Sequence, residues 1–391
     1  MGLTTFPVLT IAFDAKRYFN NATGLGFYSR TLVEGLRRFY PEHHYLLYTP
    51  YNRGQLMDST DGLRLPNSWL GRTFHPLWRS RGIVQQLKRD RVQVFHGLSH
   101  ELPSGLRRAG IRTVVTMHDL IFLRYPSLYP AVDRFFYAQK YRRAAEQADV
   151  LVAISAQTKA DLVQYFQIPA QNIQVIGQSC DLVFERLSFR HLPDRLALPI
   201  PEFPGIPEAD YLISVGSFTP RKNWHTLLDA LFLLKNQGLD MPLVALGSGK
   251  SEYAKGLRAQ SERLGLRVYW IDQYMPTQVL ATLYRRATAL VYPSIFEGFG
   301  IPILEAMTIG IPVVTSRGGC FEEVGGEAAL YADPNDAADL AAQISTVMQE
   351  EVRAKLRTKM PDQIAKFSPE KICAAWMEVY QGLGKMPNLE K

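Results

Sequence analysis

Two carboxylates, two adjacent cations and one histidine carry the chemistry that this chain offers. Glu297 and Glu305 stand eight residues apart in EGFGIPILEAM, Arg221 and Lys222 lie together in GSFTPRKN, and His118-Asp119 close VVTMHD. Carboxylates accept hydrogen bonds from sugar hydroxyls, and an adjacent Arg and Lys neutralise a diphosphate. A glutamate inside an apolar run is rare without a partner. Together the set suits an anionic, hydroxyl-rich ligand. Singly, each residue also has a plain structural reading. Glu297 can favour a helix N-terminus, Glu305 can be a solvated helix residue, and Arg221-Lys222 a solvated loop pair. A lone histidine is more often structural than catalytic, and Asp119 can cap the segment after it.

The residues around them predict the elements that hold them. The apolar run at 289–292 predicts a buried strand closed by Pro293 and Ser294. Gly298 and Gly300 flank Phe299 in a tight turn, residues 301–309 predict a short helix that tolerates Pro302 in its first turn, and Gly310 ends it before a strand at 311–315. Strand, glycine turn, helix and strand form the unit of a parallel α/β sheet, which binds ligands at the carboxyl ends of its strands. The glycines admit a ligand to the backbone, and the helix start offers N–H groups. The same grammar opens the chain. A strand at 8–13 leads through a polar loop and Thr23-Gly24-Leu25-Gly26 to a helix at 27–39. Further strands are expected at 44–49, 92–96, 112–117, 149–155 and 173–177, and in a second series at 211–215, 242–247, 268–272 and 328–332. His118 falls at the carboxyl end of the 112–117 strand, and Arg221-Lys222 between the 211–215 strand and a helix. Residues 186–208 lose periodicity and gather five prolines, as an interdomain linker does.

Length and composition agree with two globular domains: 391 residues, 47% hydrophobic. No apolar run approaches the ~18 residues of a membrane span. The start, MGLTTFPVLTIAFDA, is expected to run into a strand without a secretory leader. Cys180, Cys320 and Cys373 show no paired spacing, which fits a reduced cytoplasm and argues against a cysteine metal site. Gly247-Ser248-Gly249-Lys250 lacks the full phosphate-loop pattern. Residues 1–200 hold 25 of the 44 Lys+Arg and 15 of the 37 Asp+Glu, a net of +10, which leaves −3 to the remainder. The stretch 65–91 interleaves Trp69, Phe74 and Trp78 with Arg72, Arg79, Arg81, Lys88, Arg89 and Arg91. Two readings stay open for it: peripheral docking on an anionic membrane, or a core-packing loop followed by a helix with a solvated basic face. Nucleic acid is a poorer partner, and no specific nucleic-acid binding is expected.

The stretch EGFGIPILEAMTIGIPVV resembles the Glu-x7-Glu signature of the retaining glycosyltransferases of family 4, which have the GT-B fold. The resemblance covers nearly the whole chain and is most specific here. It implies an α/β protein of two Rossmann-like α/β/α domains facing across a cleft. Residues 1–190 would be the acceptor-side domain, 191–208 the linker, and 209–367 the nucleotide-sugar domain. Residues 368–391 would form a helix crossing back to the first domain, and a tail. By resemblance Glu305 binds the ribose hydroxyls of the nucleotide and Glu297 contacts the transferred sugar. Gly298, Phe299 and Gly300 line the donor site between them. GSFTPRKN resembles the phosphate-binding segment, which gives Arg221 and Lys222 the diphosphate. Some members carry an arginine where this chain has Ser217. The turn of Gln273, Tyr274 and Met275 would meet the base through backbone groups. Gly24 and Gly26, in TGxG, would face the diphosphate and sugar. VVTMHDLIFLRYP is similar to the HDL segment of the family. That makes His118 an active-site residue facing the transferred sugar, with Asp119 orienting it or the acceptor hydroxyl. DVLVAISAQTKADL fits the common pattern. Of the usual Asn-Gly-Val-Asp turn only Asp181 matches, and Glu322-Glu323-Val324 replaces Pro-Glu-Val.

The resemblance implies a hexosyltransferase that uses a nucleotide diphospho-sugar, with GDP-mannose favoured, and a glycan or lipid-linked acceptor in bacterial polysaccharide assembly. It would work in the cytoplasm, at the inner face of the plasma membrane if 65–91 docks there. No Asp-x-Asp occurs in the chain, and no metal or other cofactor is expected. The alternatives are a UDP-sugar-dependent transferase of the same fold and a non-catalytic nucleotide-binding protein on that scaffold.

Overall fold

The computed structural model describes residues 7–54, 56, 59–191 and 205–386. The chain divides into two compact units, 1–178 with 369–391, and 179–368. Each is built on one sheet in which every paired strand is parallel.

In the first unit the seven strands are β1 (Thr10–Asp14), β2 (His44–Tyr48), β3 (Leu63–Arg64), β4 (Val94–Gly97), β5 (Arg112–Met117), β6 (Val150–Ala153) and β7 (Ile173–Val175), in the order β3-β2-β1-β4-β5-β6-β7. The apolar runs of the central strands β1, β4, β5 and β6 are buried on both faces, as parallel strands covered by helices must be, while the edge strands β3 and β7 are partly exposed. The order reverses between β1 and β4, and the crevice at their carboxyl ends is where such sheets take ligands. The C-terminal helix Pro369–Gly384 belongs to this unit. Its Trp376, Met377 and Tyr380 share a core with Phe13 of β1, Val94 of β4 and the helix Gly24–Phe39.

The second unit has β8 (Tyr211–Val215), β9 (Leu243–Leu246), β10 (Val268–Ile271), β11 (Ala287–Tyr292), β12 (Val313–Ser316) and β13 (Ala329–Ala332), in the order β10-β9-β8-β11-β12-β13. Here the order reverses between β8 and β11.

Two expectations are revised and one falls largely outside the described residues. The division falls at Gln178/Ser179 rather than at 190, because the helix Leu182–Arg186 packs in the second unit, with Phe184 edge-on to Tyr284 at 5.9 Å. The linker expected at 191–208 lies largely outside the described residues, as does most of the expected tail. The glycine turn expected before residue 27 is already helical, because a short helix Lys16–Asn20 intervenes and the next helix begins at Gly24. Gly26 is required there: a Cβ would meet the Asn21 carbonyl oxygen at 1.8 Å.

The 65–91 stretch divides between the two readings. Trp78 is buried in a core with Ile83, Leu87 and Phe95, and Arg79 is held by Asp14 and Glu101, so Trp78 is core and Arg79 is already paired within the chain. Trp69, Phe74 and Leu77 are 74%, 52% and 59% exposed, beside exposed Arg72 and Arg81. No helix among the described residues is long and apolar enough to cross a membrane.

Candidate active site

In the second unit, two loops leave adjacent strands at the switch point. After β8 the chain makes one 3-10 turn, Pro220–Lys222, which ends at Asn223 in a left-handed conformation. The Asn223 amide fixes this turn by donating to the Pro293 and Pro334 carbonyls at 3.0 and 2.6 Å. After β11 the chain runs to Gly300, whose φ of +99° suits glycine, and then enters the helix Ile301–Ile309. The loops are stitched by Ile295 N donating to the Arg221 carbonyl at 2.9 Å.

Glu297 sits between them. Its Oε1 lies 2.7 Å from Arg221 Nη1 and 2.6 Å from Lys222 Nζ. Burial pushes the carboxyl up, but the Lys222 and Arg221 charges prevail and hold it at about 2. Burial lowers the Lys222 ammonium, with Glu297 opposing. That ammonium also donates to the Tyr292 hydroxyl at 2.7 Å and lies 4.8 Å from the Tyr292 ring centroid. Arg221 donates to the Phe296 carbonyl at 2.6 Å. Glu297 thus pairs with both cations through the same carboxylate oxygen.

Glu305 is one turn inside the helix and has a different environment. Its Oε2 accepts from the Tyr284 hydroxyl at 3.3 Å. Burial pushes its carboxyl up to about 8, the Tyr284 bond works against this, and Asp181 adds repulsion. It is a hydrogen-bonding group poised near neutrality. Asp181 itself caps the helix Leu182–Arg186 by accepting from Val183 N at 2.8 Å. Gly298 and Gly300 are buried, and the Phe299 ring packs edge-on to Phe367 at 5.3 Å, so Phe299 can offer a ligand only its backbone. Gln273, Tyr274 and Met275 form the turn between β10 and the helix Thr277–Arg286, with Tyr274 55% exposed.

In the first unit His118 follows β5 and is buried. Its Nε2 donates to the Leu98 carbonyl at 2.8 Å, which leaves the lone pair on Nδ1. Burial holds the ring at about 4, against the help of Leu98, and Arg17 lowers it further. The imidazole is therefore neutral at pH 7. Tyr28 stands edge-on to it at 4.6 Å and His100 at 5.1 Å. Asp119 accepts from Ile121 N at 3.1 Å, the capping role allowed for it above. Gly24 and Gly26 lie in the first turn of their helix, Gly24 with open space where a Cβ would stand. Tyr292, Tyr284, Tyr28 and His100 were not singled out from the sequence. Tyrosine is common in cores, and nothing in spacing tells which one faces a charge.

A group 1 glycosyl transferase model matches residues 200–367, and a glycosyltransferase family 4 model matches residues 22–183. The chain belongs to family 4. It is a hexosyltransferase with the GT-B fold. The O-antigen chain mannosyltransferase B of Escherichia coli is 32% identical over 73% of this chain and 72% of its own length. The O-antigen chain mannosyltransferase RfbU of Salmonella typhimurium is 26% identical over 65% and 63%. Among solved structures, a glycosyltransferase of Rickettsia africae superposes with a TM-score of 0.71 at 17% identity, covering 98% of this chain and 100% of that one.

Proposed function

We propose that the enzyme transfers mannose from GDP-mannose, with retention of configuration, to a lipid-linked glycan in polysaccharide assembly. The observation that carries this is the Glu297–Arg221–Lys222 cluster, with Glu305 one helical turn away, in a chain whose relatives include two O-antigen mannosyltransferases. Arg221 and Lys222 take the diphosphate, Glu305 the ribose hydroxyls, and Glu297 the transferred sugar once phosphate has replaced it on the cations. The backbones of Gly298 to Gly300 and of Gln273 to Met275 border the donor. His118, neutral and with its lone pair on Nδ1, accepts from a sugar hydroxyl on the acceptor side. The acceptor oxygen attacks the anomeric carbon on the face from which the diphosphate departs, and the diphosphate takes the proton. Positive side chains and N–H groups stabilise that leaving group, so no metal is needed.

The acceptor is reached at the inner face of the plasma membrane. Trp69, Phe74 and Leu77 would enter the headgroup region with Arg72 and Arg81. Val132, Phe135 and Phe136, exposed on the helix Ala131–Gln147, would join them. The two segments flank one loop: Lys140 pairs with Glu101 and Arg143 donates to Ser104, while Ser104 N donates to the Ser80 carbonyl. Co-sedimentation with anionic vesicles tests this; F135S/F136S binding as wild type would remove that helix from the surface.

The deciding experiment is calorimetric titration with GDP, UDP, ADP and dTDP without metal. Preference for GDP supports the donor. Preference for UDP moves the reading to a UDP-sugar, and if none binds the donor site is misplaced.

A further inference from the structure

The carboxyl edge of the first unit's sheet carries more positive charge than its own carboxylates neutralise. Asp14 ends β1 and pairs with Arg79; Glu101, after β4, pairs with Arg79 at 3.4 Å and with Lys140 at 2.8 Å. Both acids are therefore engaged. Lys16 and Arg17 follow Asp14 after Ala15, at the start of the helix Lys16–Asn20 beyond the carboxyl end of β1, and are half-buried. Neither side chain has an ion pair or a hydrogen bond among the described residues. Asp119, the remaining acid near this edge, caps Ile121. His100 is stacked flat on Tyr141 at 4.3 Å and edge-on to His118. Tyr141 adjoins Lys140, so the charged cluster and the histidines share one edge. The electrostatics agree in direction: burial lowers the Lys16 ammonium, Arg79 and Arg17 lower it further, and Asp14 and Glu101 only partly oppose them. Arg17 also acts on His100, His118 and Tyr141.

Holding unneutralised cations part-buried beside one another is unfavourable unless an anion completes them. We propose that Lys16 and Arg17 form a second anion site, which binds a phosphate or diphosphate carried by the acceptor beside His118. A lysine ammonium and an arginine fork suit a group with several anionic oxygens. The proposal rests on the reading that the donor diphosphate belongs to Arg221 and Lys222.

The test uses the full chain with selectively labelled histidines, saturated with GDP so that the donor cations are occupied. Inorganic pyrophosphate is titrated in, followed by the His100 and His118 ring resonances and by calorimetry. The expected result is binding that moves both resonances, weakened at least tenfold in R17Q and in K16Q and largely kept in R17K, with unaltered melting. Pyrophosphate that binds only when GDP is absent, or equally well to R17Q, overturns the site. A short alkyl diphosphate bearing a hexose is then compared with the same alkyl hexoside without phosphate. Arg17-dependent preference for the first assigns the site to the acceptor. Equal binding leaves it a site for free phosphate and overturns that assignment. If GDP itself fails to bind, the donor reading falls, while the pyrophosphate titration still decides this one.

Discussion

Replacing Glu297 with glutamine should tighten nucleoside diphosphate binding while it slows transfer. The carboxylate occupies the two cations proposed above to take the diphosphate. Its depression from 4.5 to about 2 corresponds to roughly 3 kcal/mol at 1.36 kcal/mol per unit. A diphosphate must displace or share that interaction. Glutamine keeps the shape and removes the charge, so GDP meets two unneutralised cations. Only part of the 3 kcal/mol is returned, because Lys222 and Arg221 also hold Tyr292 and Phe296. The expected gain is about tenfold in Kd, equivalent to about 1.4 kcal/mol, and no more than about a hundredfold. Without ligand, E297Q should be less stable, since it leaves charges part-buried and unpaired. A loss of 2–3 kcal/mol in a unit of this size lowers Tm by very roughly 5–10 °C.

The assay is calorimetry with GDP on wild type and E297Q, with thermal unfolding with and without GDP and a transfer assay. The reasoning is refuted if E297Q is folded yet binds GDP no more tightly than wild type. Acid gives an independent check. A depressed carboxylate contributes stability that is present above its unfolded value of about 4.5 and lost as pH falls towards 2. Wild type should lose that increment over this window and E297Q should not.

Glu305 has the opposite sign. Its raised carboxyl binds a proton that the unfolded chain has lost, so its contribution makes stability fall as pH rises from about 4.5 to about 8. E305Q should flatten that slope and raise stability at pH 7 by up to about 3 kcal/mol, while GDP binds at least tenfold more weakly; unfolding curves at pH 5 and 7.5 with a GDP titration check both. H118A should cut transfer and spare GDP affinity, and transfer at the wild-type rate would remove His118 from the site. G26A should cost about 1–3 kcal/mol through its clash with Asn21, whereas G24A, with free space at its Cβ, should leave Tm within about 2 °C. A G24A enzyme that melts normally but transfers slowly would show that a ligand approaches that helix start.

Most strands and the β11 unit were legible because they are short apolar runs, whereas the two-residue edge strand β3 (Leu63–Arg64) is too short to carry such a pattern and was not expected. The expected helix at 301–309 coincides with the observed one because Gly300 and Gly310 mark both ends with left-handed φ. The start of the helix at Gly24 was missed because glycines read as a turn. Only the close approach of Asn21 shows that Gly26 is there for packing. The roles of the acids were harder. Glu297 and Glu305 are the same residue type eight apart, yet one is held near 2 and the other near 8. What separates them is Arg221 and Lys222, some 75 residues earlier and brought beside Glu297 only because β8 and β11 are neighbours in the sheet.

Adjacency of β4 and β5 in the other sheet likewise explains why polar residues missing from any motif matter in the first unit. His96 of β4 bonds Tyr380 of the C-terminal helix at 2.8 Å and Thr116 of β5 at 2.7 Å, and Thr116 meets the Tyr28 hydroxyl at 3.1 Å. Tyr28 in turn stands against His118. Burial holds His96 at about 3 and His118 lowers it further, so this chain of contacts is neutral and can persist inside a parallel-sheet core at little electrostatic cost. It ties the last helix of the chain to the histidine ring through residues 284 positions apart in sequence. A neutral, directional scaffold fixes the His118 ring without adding charge beside it. At that edge Lys16 and Arg17 are half-buried and have no ion pair among the described residues, which is why the anion site is proposed there.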